Sequence, residues 1–164
     1  YDELIHVPLL VRLPGQTKTQ KIDQRVSSID ILPTILDLLD VKMSKKATGQ
    51  LRGQSLAPAL KGKSVERDVF SETNYREYTY KRSVITPKGW KLIYTLESKT
   101  RELYNLKDDP HERKNLAKEK AKLADELQKR IFAHFKKIGH DLTKTNWKLG
   151  LNPVYPSQGK PKKK

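Results

Sequence analysis

One stretch leaves the chain few ways to fold: residues 101–117, Arg-Glu-Leu-Tyr-Asn-Leu-Lys-Asp-Asp-Pro-His-Glu-Arg-Lys-Asn-Leu-Ala. Residues 102–106 are short, carry Leu and Tyr, and suit a strand. Lys107-Asp108-Asp109-Pro110 reads as a turn, because the Asp side chains can take up nearby backbone N–H groups and Pro110 cannot donate to a ladder. Asn115 can then cap a helix with its side-chain oxygen. Beyond it Leu116, Leu123, Leu127, Ile131, Phe135 and Ile138 recur at i+3 and i+4 steps after the first gap. That spacing predicts an amphipathic helix of about 22 residues, roughly 33 Å long, stopped by Gly139. A strand turned tightly into a helix with one apolar face calls for a sheet under that face.

The sheet is legible just upstream. Residues 69–72 look like a strand, and residues 81–86 and 90–95 flank the turn Pro87-Lys88-Gly89 as a hairpin. With 102–106 these make about four short strands, for which antiparallel pairing is natural. Between the first two lies Asn74-Tyr75-Arg76-Glu77-Tyr78-Thr79-Tyr80, with basic and aromatic residues interleaved. Such a loop can cover a sheet edge, stack on bases or sugar rings, or rim a pocket. Asn74, Arg76 and Tyr80 are the candidate substrate contacts it offers.

The first third reads differently. Leu9-Leu10-Val11, broken by Arg12 and ended by Pro14-Gly15, predicts a buried strand over 7–13 with Pro8 at its start. Over 30–39, Asp30 suits a helix cap and Pro33 falls in the first turn. Ile31, Ile35 and Leu38 repeat at helical spacing, widened by Leu32, Leu36 and Leu39. Burying six such side chains would contribute roughly 9–18 kcal/mol before entropy, so a core helix is expected. Asp30 and Asp37 share a face of that helix. Asp30 reads as the cap and Asp37 as a solvent-facing residue, and neither as a catalyst. Residues 53–62 read as a short helix or turn that tacks Leu56 and Leu60 onto the core. Gly62-Lys63-Ser64 imitates the end of a phosphate-binding loop, but Ala57 stands where that loop needs its first Gly.

Several elements together resemble one family. Leu103-Tyr104-Asn105-Leu106, Asp109-Pro110, Glu112 and Asn115-Leu116-Ala117 resemble the LYDL-x-x-DP-x-E-x-x-NLA signature of type I sulfatases, with Asn105 in place of Asp. The segment around Asp2-Glu3 and Val7-Pro8-Leu9 is similar to YEE-x-x-RVPLIV-x-x-PG, with His6 in place of Arg. Residues 27–38 resemble S-x-x-D-x-x-PT-x-x-D-L, and 53–62 resemble G-x-SL-x-P-x-L-x-G. Residues 82–94 are similar to R-x-x-x-T-x-x-xKLI-Y. The resemblance implies an α/β fold: residues 1–66 as the end of an alkaline-phosphatase-like α/β domain, 67–141 as a small antiparallel sheet packed with a long C-terminal helix, and 142–164 as a flexible basic tail. It also puts His6 near the pocket, just after the family's active-site lysine. A lone His beside a strand is otherwise structural, and His134 beside the helix stripe is read that way.

What the resemblance implies chemically is hydrolysis of sulfate esters. The family attacks sulfur with the hydrate of a formylglycine made in a Cys/Ser-x-Pro-x-Arg motif. Ca²⁺ and basic side chains hold the sulfate, and a His helps the leaving group. The chain has no Cys and no Ser-x-Pro-x-Arg; Ser55 is followed by Leu-Ala-Pro. No catalytic residue carries over. Ca²⁺ is expected in the parent enzyme on ligands outside this chain, with none bound here. The chain starts at Tyr1 within a partly apolar run, as a fragment would, and its expected partners are the rest of the same protein and a sulfated small molecule or glycan. A periplasmic, secreted or lysosomal location is expected on the same ground.

Charge keeps two other readings in view. The 164 residues carry 34 Lys and Arg against 19 Asp and Glu, a formal net charge of +15. That excess fits a solvated Lys-rich surface, or anionic partners. A non-catalytic module for sulfated or other anionic glycans is the first alternative. A nucleic-acid binder, argued from charge alone, is the weaker second. No apolar run approaches the ~20 residues that span a bilayer.

Overall fold

The chain divides into two units, Tyr1–Val69 and Phe70–Lys164, in a computed structural model that describes residues 1–75 and 79–144. In the second unit, β1 (Val69–Tyr75), β2 (Thr79–Ile85), β3 (Trp90–Thr95) and β4 (Thr100–Asn105) form a small antiparallel sheet in the order β1-β2-β3-β4. Register pairs Val84 with Leu92 and Leu92 with Leu103 across the three strands. One side chain in two points each way from a strand. So Tyr80, Val84, Leu92, Tyr94 and Leu103 form one core with the helix that follows. Ile85, Ile93, Tyr104 and Leu106 cluster separately on the other face.

The expected turn closes the hairpin. Gly89 has φ +86° and its N–H bonds Thr86 O at 2.9 Å, while the Thr86 N–H bonds Trp90 O at 2.9 Å. A Cβ at residue 89 would also meet Lys107 Cγ at 3.0 Å, so two constraints select glycine here.

The helix of the second unit spans Ala121–Lys137 and buries Ala124, Leu127, Ile131 and Phe135. It packs on β2 and β3. For order, it is the fifth α-helix, α5, after four short ones given below. The sequence placed its start at Leu116. That segment is instead a turn tied to the edge strand: the Leu116 N–H bonds Leu103 O at 2.8 Å. Lys120 N donates to Leu116 O at 2.9 Å, so the chain turns through 117–120 before regular helix begins at Ala121, five residues later than the apolar repeat. Its end is as expected. Gly139, at φ +93°, donates to Lys136 O at 3.1 Å, and His140 donates to Phe135 O at 2.8 Å. This is the paired closure of a Schellman motif. Leu142, in a short 3₁₀ turn Leu142–Lys144, returns to the core, so the packed body runs past the start of the expected tail. The rest of that tail, 145–164, lies outside the described residues.

The first unit holds α1 (Asp2–Ile5), a 3₁₀ turn at Ser28–Asp30, α2 (Ile31–Leu38), α3 (Lys45–Thr48) and α4 (Ala57–Leu60). Two apolar stretches stand here without the further strands they are expected to pack on. Residues 7–13 are irregular, and Leu10 is 87 % exposed. A strand needs a neighbour to bond, and the described residues of this unit hold no other strand through residue 68. The stripe on α2 is exposed as well, Leu32 at 55 % and Leu39 at 69 %, while Pro33 and Thr34 are the helix residues that are buried.

What orders this unit is polar. Asp30 is 1 % exposed. Its Oδ2 accepts from Ser27 N at 2.9 Å, and its Oδ1 accepts from Gln54 N at 2.9 Å and pairs with the Arg67 guanidinium. So Asp30 is not the side-chain cap of α2 but the hub of three chain segments. Thr34 Oγ1 donates to Asp30 O at 2.6 Å and accepts from Leu56 N at 2.9 Å. Asp37, read from sequence as solvent-facing, accepts the Ser55 hydroxyl. Gly53 is required because a Cβ there would lie 2.0 Å from Ile29 O. Only that close approach lets Gln54 reach Asp30.

Candidate functional site

The connection from β1 to β2 is the loop whose chemistry the sequence singled out, and its base is firmly held. Arg82 on β2 is fully buried, one strand step from Tyr80 and Val84 on the same face. Its guanidinium lies 3.2 Å from Glu72 Oε2, donates to Thr73 O at 3.3 Å and Lys81 O at 3.0 Å, and sits 5.1 Å over the Phe135 ring. A buried charge needs partners on this scale, and these tie both ends of the loop to each other and to α5. The Tyr80 N–H meets the Glu97 carboxylate at 3.1 Å, and Leu96 N donates to Tyr80 O at 2.9 Å.

The candidate contacts fall in different places. Tyr80 is 4 % exposed with its side chain in the core beside α5, so it helps hold the loop base. Asn74 belongs to β1 by its backbone. Arg76 lies outside the described residues. His6 belongs to the first unit, exposed, at the end of α1, where its N–H bonds Asp2 O at 2.8 Å. Sequence reasoning missed Arg82, although the alternation Tyr80, Arg82, Val84 puts a cation on the core face and was there to be read.

A second polar centre joins the sheet to the corner. Lys91 on β3 and Glu112 stand 2.8 Å apart with side chains only 1 % and 2 % exposed. Glu112 reaches inward because its backbone takes φ +54°, uncommon for a residue with a Cβ. Asn115 Oδ1 accepts from Leu103 N at 3.0 Å and Ala117 N at 2.9 Å, and its amide donates to Arg101 O at 3.2 Å. Asp109 Oδ2 accepts from Lys114 N at 2.9 Å. The backbone N–H groups of Lys114 and Arg113 hold this carboxyl below its ordinary value. Every polar residue of the corner signature thus faces its own chain. Burial pushes the Tyr94 phenol up, opposed by Arg101.

Among the described residues no group of three or more His, Cys, Asp or Glu is placed to hold a metal ion. No helix of the described residues is long and apolar enough to cross a membrane. The arrangement can brace a loop and shape a surface. Its polar side chains are engaged in holding the fold.

Residues 1–138 match the family model described as N-sulphoglucosamine sulphohydrolase, C-terminal. This chain belongs to that family of sulfatase C-terminal segments. Among its relatives is the Delta 4,5-hexuronate-2-O-sulfatase of Bacteroides thetaiotaomicron, 34% identical over 127 residues, which cover 73% of this chain and 26% of that protein. Arylsulfatase K of Gallus gallus is 29% identical over 177 residues, covering 94% of this chain and 32% of the relative. A solved 2-O GAG sulfatase superposes with a TM-score of 0.61 at 33% identity, covering 71% of this chain and 26% of that one. The chain therefore spans about a quarter of the length of the first relatives it matches. The alkaline-phosphatase-like expectation is met in the same neighbours, and the sheet and helix are the C-terminal part of a sulfatase fold.

Proposed function

We propose that the whole protein hydrolyses sulfate esters of a glycan, and that this chain is its C-terminal part, bracing the fold and lending the β1–β2 loop to the pocket rim. The observation that carries this reading is the family match through residue 138, with sulfatases as relatives. Those relatives include one named for a hexuronate and one named for N-acetylglucosamine, the latter human and 44% identical over 64 residues. The nucleophile in this reading is a formylglycine, and Ca²⁺ is the sulfate-binding cation, both supplied by residues outside this chain. This chain's own contribution is to brace the base from which the loop leaves the sheet. Arg82 and Glu97 anchor its base, and Asn74 and Arg76 carry donors suited to sugar hydroxyls and sulfate oxygens.

The test uses the full-length protein with two substrates, a sulfated disaccharide and a minimal aryl sulfate. Arg76→Ala is expected to raise KM for the disaccharide about tenfold, the size of one charge-assisted contact, with kcat and the aryl sulfate nearly unchanged. Equal effects on both substrates would take the loop out of the rim. No turnover of either substrate by the unaltered protein would end the sulfatase reading.

A further inference from the structure

The outer face of α5 carries a regular line of three cations, of which Lys136 in the last turn suits the helix dipole and Lys122 and Lys129 do not draw on it. Lys122, Lys129 and Lys136 recur every seven residues, all exposed, and so lie in one line roughly 10 Å apart at 1.5 Å per residue. The acids that flank this line are already engaged. Asp125 pairs with Arg101 from β4, and Glu126 pairs with Arg130 one turn on. None of the three lysines takes part in those pairs. The first turn of α5 contains Lys122 and no acid, the reverse of what the helix dipole favours. Lys118 and Lys120, both exposed, precede it.

Beside the middle lysine is a shallow dent lined by Asp125, Gln128, Lys129 and Phe132. Phe132 is half-buried, packed edge-on against Tyr94 with ring centroids 5.1 Å apart, and Arg101 donates to Gln128 Oε1 at 3.3 Å. An apolar ring, an amide and an ammonium group on one rigid helix suit a sugar ring with an anionic substituent, and the carboxylate in the same lining, Asp125, is paired with Arg101. A regular line of cations suits a linear polymer with regularly placed anions. We propose that this face of α5 is a docking surface for a sulfated polysaccharide chain. The choice of polymer rests on the sulfatase reading, in which the substrate is itself a sulfated glycan. The line of charge itself does not depend on it.

The experiment compares two variants of the full-length protein that lose the same charge in different places: K122Q/K129Q/K136Q on the line, and K18Q/K42Q/K46Q in the first unit. Gln matches Lys closely in helix propensity, and all six side chains are exposed, so both variants should fold. Binding is read on heparin, on hyaluronan and on single-stranded DNA across a salt series. The line variant should bind heparin about tenfold more weakly, with a salt slope lower by about 2 to 3, and the control should change far less. Both variants should keep the unaltered rate on an aryl sulfate. Equal loss in both variants, or no loss in either, overturns the proposal. Tighter binding of DNA than of heparin, lost in the line variant, also overturns it and makes nucleic acid the partner. Failure of the unaltered protein to cleave any sulfate ester, with heparin binding still lost in the line variant, would end the sulfatase reading and leave the docking surface standing.

Discussion

Lys91 and Glu112 are the costliest residues to separate. Each side chain is almost wholly out of water, and each is tolerable there because the other is 2.8 Å away. The pair's net worth against apolar residues is small, because desolvating two charges offsets most of their attraction. Breaking it is another matter. Lys91→Met strands a buried carboxylate and should cost about 3–5 kcal/mol, measured as a shift in the denaturant midpoint. The double change Lys91→Met with Glu112→Leu should recover most of that loss, unless the φ of residue 112 is itself maintained by the charge. Tyr94 offers a milder test. Its folded pKa is raised by burial, so its contribution is complete below the ordinary value near 10 and is lost as pH rises through the higher folded value. Tyr94→Phe should therefore flatten the fall in stability on the alkaline side. An unchanged alkaline profile would assign that fall to other groups. Glu112 was legible as a motif residue, but its burial against Lys91 was not, since a Lys in a strand ordinarily reads as surface and its partner comes from a turn.

At the scale of the element, the corner at 103–117 works as a clasp on the sheet's edge. Asn115 and Leu116 bond the Leu103 backbone, which covers part of an edge strand and ties the lead-in of α5 to it. Asn115→Ala would leave the Leu103 N–H, in a buried residue, without its partner, at a cost of about 1–3 kcal/mol. Hydrogen exchange at Leu103 should speed up more than at Leu92, deep in β3; equal protection would argue against the clasp. The motif and the strand–turn–helix order are legible in the sequence because they are local. The six-residue apolar stripe and Gly139 mark the helix and its stop for the same reason. What it missed is long-range: Asn115 reads as a helix cap until its partner twelve residues back is known. Asp30 is the same case on a larger scale, with partners 24 and 37 residues away in Gln54 and Arg67. Periodicity also marks which face is apolar without naming what covers it. That is why 7–13 and the α2 stripe read as core from sequence yet stand exposed in a chain that spans about a quarter of its relatives' length.

The whole molecule has two unlike halves. Phe70–Lys164 closes a core of its own between sheet and helix. Tyr1–Val69 is held by the Asp30 and Thr34 hydrogen bonds and leaves Leu4, Leu10, Leu32, Ile35 and Leu39 to solvent. Apolar surface on that scale, on a chain a quarter the length of its relatives, is a sticky surface for the chain in isolation. The isolated 164-residue chain should therefore self-associate, and Leu32→Glu with Leu39→Glu should make it more nearly monomeric by light scattering. Both positions are exposed, so the change should leave the Asp30 hydrogen bonds in place and the folded signal intact. The same isolated chain should be inert toward a chromogenic aryl sulfate, with or without added Ca²⁺. An ordinary Ser or Thr hydroxyl is a weak nucleophile at neutral pH, and the sequence contains neither Cys nor the Ser-x-Pro-x-Arg motif from which a stronger one is made. Turnover that persists through stringent purification and vanishes on changing one residue within 1–164 would place catalytic machinery in this chain after all. A chain that is both monomeric and inert would keep the assignment of catalysis to the rest of the protein, but would show that the exposed leucines are already covered by contacts within these residues.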